Sequence, residues 1–176
     1  YLFRSSFTCN LVNHFIVNLF LMYVKAFGFL FEVNEEEKTA VLFESFHQQN
    51  IETIRIPQII EPHYKVIGIA DNVFKQNADT KIIEIPSTIQ FIGKNAFAYC
   101  SSLSTITFKT SSDTTLSCNN SNKQLHSIDD YSFFHCNELM SILNIPSGIH
   151  RIGRCAFSDC SNLHFVSFAS SSCVEI

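Results

Sequence analysis

The chain has 176 residues, of which 46% are hydrophobic, so it is long enough to bury one core and is expected to form one domain. Its formal net charge is −4, and no run of basic residues occurs. These features argue against a nucleic-acid backbone or an anionic membrane surface as the ligand.

The chain begins with an apolar segment, residues 1–27. Residues 11–24 are apolar apart from two asparagines and one histidine. A short apolar stretch followed by the small residue Ala26 resembles a secretory signal, whereas a run extended to Phe31 would suit a membrane anchor. A third interpretation places the segment in a buried cap. The sequence leaves all three open, and membrane association is expected only if residues 1–31 or a missing segment act as an anchor.

Two cap strands are predicted within residues 28–50. Phe31 and Val33 flank a polar residue, and a run of β-branched and apolar residues spans 39–42. The three glutamates at 35–37 lie between these segments and are expected to form a solvated turn.

From residue 51 onward, two short sequence phrases alternate. One is apolar-x-apolar, often followed by proline, which is typical of a short strand with one buried side. The other resembles I-x-x-I-x-x-x-A-F-x-x-C and occurs four times. Its phenylalanines are Phe74, Phe97, Phe133 and Phe157, which lie 23, 36 and 24 residues apart. One period of about 23 residues therefore recurs once an insertion is set aside.

A unit of this size cannot bury its own apolar side, so neighbouring units must stack on a shared core. The expected fold is a repeat solenoid of about four to five units over residues 51–176. Each unit is expected to contain one β-strand and one short helical or turn return segment. A polar loop insertion is expected at about 109–124.

Two long strings carry a family resemblance. They are IPSTIQFIGKNAFAYCSSL at 85–103 and IPSGIHRIGRCAFSDCSNL at 145–163, and they match position by position. Together with the strand phrases they resemble the BspA-like, or Treponema pallidum-type, leucine-rich repeats found in surface proteins of bacteria and mucosal protists. The resemblance covers about 51–168. It implies a leucine-rich-repeat stack, a cell-surface or secreted setting, and adhesion to host cells, matrix proteins or other microbes.

A candidate binding face is formed by the polar residues between the apolar strand positions. These residues are Arg55, Glu84, Thr107 and Ser167. Their spacing along the stack suits an extended protein or glycan better than a small substrate, which needs a closed pocket. The sequence therefore predicts a non-catalytic recognition module without a cofactor. The alternative is an intracellular scaffold that binds another protein through the same face.

The cysteines do not predict a metal site or a disulfide framework. Cys100, Cys136 and Cys160 share one repeat position, where the first unit has Asn77, and are expected to form a column of small buried groups. A C-x4-C-x3-H spacing at 155–164 lacks a fourth zinc ligand. The total of seven cysteines is odd, so no closed set of disulfides follows.

No catalytic motif is recognised in the sequence. His135 precedes Cys136, but its repeat equivalents are Tyr99 and Asp159, so a histidine in a partly exposed turn is expected. The pair at 129–130 falls where other units have Gly-Lys or Gly-Arg, which indicates a surface turn. Phosphate-loop, dinucleotide, hydrolase and metalloprotease motifs do not occur.

The insertion at about 109–124 is rich in Ser, Thr, Asn and Asp and has too little apolar content to pack. A tolerated insertion, a ligand contact and a glycan carrier are all compatible with this composition. Asn119 begins an N-glycosylation sequon, which is meaningful only if the chain is secreted.

Deletion of residues 111–123 is expected to leave the fold intact. The flanking units already obey the period, and the entropy of loop closure changes only logarithmically with loop length. Circular dichroism and thermal melting of the deletion variant and the parent chain would check this. Loss of cooperative unfolding would show that the insertion is structural.

Overall fold

A computed structural model describes residues 22–46, 51–109 and 125–169. These residues form thirteen β-strands and no helix, so none of them lies in a helix that could span a membrane. The strands are β1 Met22–Ala26, β2 Phe29–Asn34, β3 Thr39–Ser45, β4 Thr53–Arg55, β5 Ile59–Ile60, β6 Tyr64–Ile69, β7 Ile82–Ile85, β8 Phe91–Ile92, β9 Thr105–Phe108, β10 Ser127–Ile128, β11 Ser141–Ile145, β12 Arg151–Ile152 and β13 Phe165–Phe168.

The strands form two sheets that run along the stack. The five-stranded sheet has the order β13-β11-β9-β7-β4, and all its neighbours pair in parallel. The eight-stranded sheet has the order β1-β2-β3-β6-β8-β10-β12, with β5 paired to β6. Each successive unit adds one strand to each sheet, which confirms the predicted solenoid of about four to five units; the described residues form about four turns.

The return segments follow the turn alternative of the prediction and add strands that it did not include. The sequence left a short helix or a turn open, and the described units use turns. Each return segment also carries a strand of its own, such as β8 or β10, and these strands build the eight-stranded sheet. Two residues are enough for such a strand because neighbouring units on both sides supply its hydrogen-bond partners.

The core contains a column of phenylalanine rings, with one ring from each unit. Phe74 and Phe97 stack at a centroid distance of 5.0 Å, and Phe97 and Phe133 repeat this distance. Phe157 follows Phe133 at 5.1 Å, and the interplanar angles along the column do not exceed 5°. Phe29 from the cap packs edge-on against Phe74. The column therefore joins the cap and all four units in one core.

The shared repeat position of Phe97 and Phe157 predicts equal burial, and the structure contradicts this for Phe157. Phe97 is fully buried, whereas Phe157 is only half-buried. Phe97 lies between two rings of the column, but among the described residues Phe157 has a ring on one side only. Position in the stack, rather than position in the repeat, sets the exposure.

The cysteine column is present beside the phenylalanine column. Each thiol donates a hydrogen bond to the carbonyl of the phenylalanine one unit earlier, at 3.1 Å in all three cases. Cys100 and Cys136 are buried, and Cys160 is half-buried. Asn77 fills the position in the first unit with a different role, because its Oδ1 accepts from the backbone N–H groups of Asp79 and Thr80.

The cap is an antiparallel extension of the eight-stranded sheet. Strands β1, β2 and β3 pair in sequence, and β3 pairs in parallel with β6. Tyr64 donates a hydrogen bond from its hydroxyl to Glu35, which links the first unit to the turn at 35–37. Residues 22–26, which the sequence groups with the apolar segment, form strand β1. Residues 1–21 lie outside the described part of the chain.

Replacement of Phe97 by Ala is expected to reduce the free energy of unfolding by about 3–5 kcal/mol, because it removes a fully buried ring from between two others. Phe157→Ala is the matched control, and its cost should be clearly smaller because the ring is half-buried. Urea denaturation of both variants measures the difference. A loss below about 1 kcal/mol for Phe97→Ala, or equal losses for both variants, would contradict this account of the column.

Candidate recognition surface

The candidate binding residues lie on the outer side of the five-stranded sheet. Strand register places Arg55 beside Glu84, and Glu84 beside Thr107. The residues that precede them, Ile54 and Ile83, point into the core and are buried. Because side chains alternate between the two sides of a strand, the candidate residues face away from the core. Three of the four predicted residues are therefore direct neighbours.

Ser167 is separated from the other three candidates by Leu143, which the sequence-based prediction did not include. The direct neighbour of Thr107 on β11 is Leu143. The pairing of β11 with β13 is irregular between Ile142 and Ile145, and there Ser167 Oγ accepts a hydrogen bond from Asn144 N at 3.0 Å. The alternation of the strand phrase contains the signal for Leu143, but a search restricted to polar residues overlooks an outward leucine.

The polar end of this row is an ion-pair cluster. Glu84 Oε2 lies 3.2 Å from Arg55 Nε and 3.2 Å from Lys109 Nζ. The two basic side chains are mostly exposed, whereas the carboxylate is largely covered. Exposed pairs of this kind contribute little to stability. Two cations share one carboxylate, so this end of the row carries a net positive charge.

A second outward row runs parallel to the first. The residues in register are Thr53, Ile82, Thr105, Ser141 and Phe165. Ser141 donates a hydrogen bond from Oγ to Thr105 Oγ1 at 3.2 Å. Ile82 and Phe165 are exposed hydrophobic residues, and 52% of the Phe165 surface is accessible. The sheet therefore presents hydroxyl groups, charges and isolated apolar side chains together.

Two shallow depressions within the described residues lie away from these two rows. One is lined by residues of the cap turn and the first unit, including Phe27, Phe46 and Thr80. The other lies along β2 and β3. The two rows form an open surface, which suits a large partner better than a small molecule.

The residues considered for catalysis or metal binding point in different directions. The Cys136 thiol points into the core and donates to Phe97 O, while His135 lies at the surface with Nε2 3.7 Å from Asp159 Oδ2. In the C-x4-C-x3-H segment, His164 contacts the carbonyl of Asn162. No group of three potential metal ligands occurs within residues 22–46, 51–109 and 125–169.

Asp129 and Asp130 lie at a turn, as the sequence predicts, and they also hold neighbouring units together. Asp130 Oδ1 accepts a hydrogen bond from Arg154 N at 2.8 Å, and Asp71 accepts one from Lys94 N at 2.7 Å in an earlier unit. Asp129 and Asp130 also lie within 3.6 Å of the Arg151 guanidinium. Asn119 and the insertion around it lie outside the described residues.

Comparison with known proteins identifies related sequences and folds. A family model described as the BspA type leucine rich repeat region matches the chain in six copies, over residues 39–119 and 67–176. No curated protein sequence matches the chain.

Three solved structures illustrate the similarity of fold. The pneumococcal vaccine antigen PcpA has a TM-score of 0.66 at 23% identity, covering 86% of this chain and 39% of that one. A leucine-rich repeat protein from Bacteroides capillosus has a TM-score of 0.61 at 22% identity, covering 85% and 99%. A leucine rich cell surface protein from Faecalibacterium prausnitzii has a TM-score of 0.56 at 26% identity, covering 84% and 42%.

The Cys136 thiol is expected to resist alkylation in the folded chain. The neighbouring Cys100 thiol and burial raise the pKa of Cys136 from 9.0 to about 12. At neutral pH this change alone lowers the thiolate fraction about a thousandfold, and only the thiolate reacts. A pulse of iodoacetamide followed by peptide mass spectrometry measures the rate, with the urea-unfolded chain as the control. Equal labelling in the two states would contradict the buried column.

Proposed function

Because the chain belongs to the BspA-type leucine-rich repeat family, we propose that it is a non-catalytic recognition module of the cell surface. The ligand is an extended segment of another protein, bound on the outer side of the five-stranded sheet. The observation that carries this proposal is the open double row of outward residues on five parallel strands. Repeat stacks commonly use such continuous surfaces for binding.

The cell-surface setting is supported by the kinds of protein that share the fold. One is a leucine rich cell surface protein and another is a pneumococcal vaccine antigen. The present chain spans 42% and 39% of their lengths. The recognition role is proposed for this repeat array, which is the part that the chain shares with them.

The side chains of the face favour a protein ligand over a glycan. The cluster of Arg55, Glu84 and Lys109 has one cation in excess and complements an acidic residue of a partner. Ile82 and Phe165 are exposed on the same side and offer apolar contacts that a polypeptide can fill. A peptide segment supplies both kinds of group at strand-like spacing.

The size of the face implies weak binding by a single module. Five strands about 4.8 Å apart, each about four residues long at a rise of about 3.3 Å per residue, cover roughly 19 by 13 Å. This area is well below the ~800 Å² per partner that stable complexes bury. Display of many copies on a surface would convert weak single contacts into avidity.

Changing Arg55, Glu84, Thr107 and Ser167 to Ala is expected to abolish specific binding to host-cell and matrix-protein arrays, because the variant loses the polar groups of the proposed face. The matched control changes Lys65, Gln90, His126 and His150 to Ala. Backbone hydrogen bonds join Gln90, His126 and His150 in a row beside the eight-stranded sheet. Circular dichroism should show both variants folded.

Specific protein binding that survives the four changes would exclude this face, and binding confined to glycans would replace the proposed ligand class. Protease shaving of intact cells tests the setting independently. Complete protection on intact cells, with digestion after lysis, would favour the intracellular scaffold. Detectable turnover of a substrate would overturn the non-catalytic role.

A further inference from the structure

The turns of the four units form a separate surface of the stack, which we call the turn face. It comprises residues 71–76, 94–99, 130–135 and 154–159, which link the two sheets. Each turn has two residues with φ between 52° and 64°. These residues are Asn72, Asn95, Tyr131 and Cys155 at the first position, and Gln76, Tyr99, His135 and Asp159 at the second.

Backbone hydrogen bonds hold the turns in register. At the second position, Gln76 N donates to Ala98 O, Tyr99 N donates to Phe134 O, and His135 N donates to Ser158 O, with lengths of 2.8 to 3.0 Å. Equivalent residues of successive turns therefore lie side by side. Side chains on two neighbouring turns consequently form one continuous surface.

Four aromatic residues meet on the two central turns. Tyr99 and His135 stack with ring centroids 5.3 Å apart, and the Phe134 ring lies almost perpendicular to both, at 5.4 and 4.9 Å. Tyr131 joins the cluster through Phe134 at 5.6 Å. Tyr99 is 44% exposed, and the other three are half-buried. The cluster is an aromatic patch at the surface.

The turn itself does not require tyrosine at either position, because other units form it with other residues. A positive φ is unfavourable for residues with bulky side chains and is tolerated better by Asn, Asp and His. The other units of this chain have Asn72, Asn95 and Cys155 at the position of Tyr131, and Gln76, His135 and Asp159 at the position of Tyr99. Tyrosine at these two positions is therefore available for a role other than forming the turn.

Polar groups surround the patch, and their charges balance. Asp159 lies 3.7 Å from His135, and Asn137 Oδ1 lies 3.3 Å from His135 Nδ1. Gln76 and Asn95 occupy the next turn positions on the other side. The acidic and basic residues of the turn face are equal in number, as follows: Asp71, Asp130 and Asp159, with Lys75, Lys94 and Arg154.

We propose that the aromatic patch is a second binding site, specific for a neutral oligosaccharide. The C–H groups of a pyranose ring pack on aromatic carbon, and its hydroxyls pair with amide, imidazole and carboxylate groups at the rim. An aromatic patch with a polar rim has this character. The balanced charge of the turn face offers no net attraction to a strongly anionic or cationic ligand.

The test uses a variant whose new residues come from the chain itself. Tyr99→Gln places the residue of position 76 at position 99, and Tyr131→Asn places the residue of positions 72 and 95 at position 131. Both replacements are therefore compatible with the turn. The matched control is Tyr23→Thr, since Tyr23 is 42% exposed and packs edge-on against Phe43, away from the turn face.

The full chain and both variants are applied to immobilised neutral oligosaccharides of hexoses and N-acetylhexosamines, beside sulfated oligosaccharides and lysine-rich peptides. Binding to one or more neutral oligosaccharides is expected, weakened about tenfold or more by the double change and unaffected by Tyr23→Thr. Circular dichroism should show that both variants are folded. In the parent chain, the oligosaccharide that binds should shift the ring-proton signals of tyrosine and histidine in NMR spectra.

Three results would overturn the site. They are no binding to any neutral oligosaccharide, binding that survives in the folded double variant, and binding only to the peptides or the sulfated oligosaccharides. If the double variant does not fold, unchanged ring-proton signals in the parent chain would overturn it as well. The variant with Ala at positions 55, 84, 107 and 167 should bind the oligosaccharide normally, which separates this site from the five-stranded sheet.

Discussion

The stacking of one phenylalanine ring on the next, about every 5.0 Å, is the contact on which the rest of this structure depends. Neighbouring strands of a sheet lie about 4.7–4.9 Å apart, and offset aromatic rings favour a similar spacing. The distance between successive rings of the column therefore matches the distance between successive strands of the two sheets. A unit that places its phenylalanine correctly also brings its two strands into hydrogen-bonding distance of the next unit.

The turns complete this arrangement by satisfying the backbone between units. In each turn, residues with positive φ interrupt the backbone conformation that a helix requires. In the first three turns the N–H groups of these residues donate to carbonyls of the following unit. The cysteine thiols and the carboxylates of Asp71 and Asp130 add bonds between adjacent units. Among the described residues, Thr88 Oγ1 is the only buried side-chain nitrogen or oxygen without a hydrogen-bond partner, which is compatible with a core of such regular apolar composition.

The different constraints on inward and outward residues explain where recognition can evolve. The repeat constrains the inward residues, and in the units with neighbours on both sides their burial is nearly complete, as at Ile83, Ile106 and Phe133. Outward residues on the strands and turns carry no such constraint. Charges and hydroxyls therefore occupy one surface, and an aromatic cluster occupies another, without disturbing the stack.

Periodicity alone determined the solenoid, the strand positions of the five-stranded sheet and the identity of the column residues, because stacked equivalents must share one spacing. The family followed from two strings that match position by position. The sequence did not reveal the second sheet, because strands as short as β8 and β10 exist only through their neighbours. It also assigned Phe157 the burial of Phe97, although burial depends on a unit's place in the stack.

Only the tertiary structure determined which residues of adjacent strands and turns lie side by side. Leu143 enters the outward row beside Thr107 because strand register places it there, and the irregularity of β11 shifts Ser167 towards Asn144. Tyr99 and Phe134 are 35 residues apart in sequence, yet their rings meet because the insertion between β9 and β10 leaves the repeat register unchanged. A local pattern defines what each unit contains, whereas contacts between units depend on a register that is set only when the chain stacks.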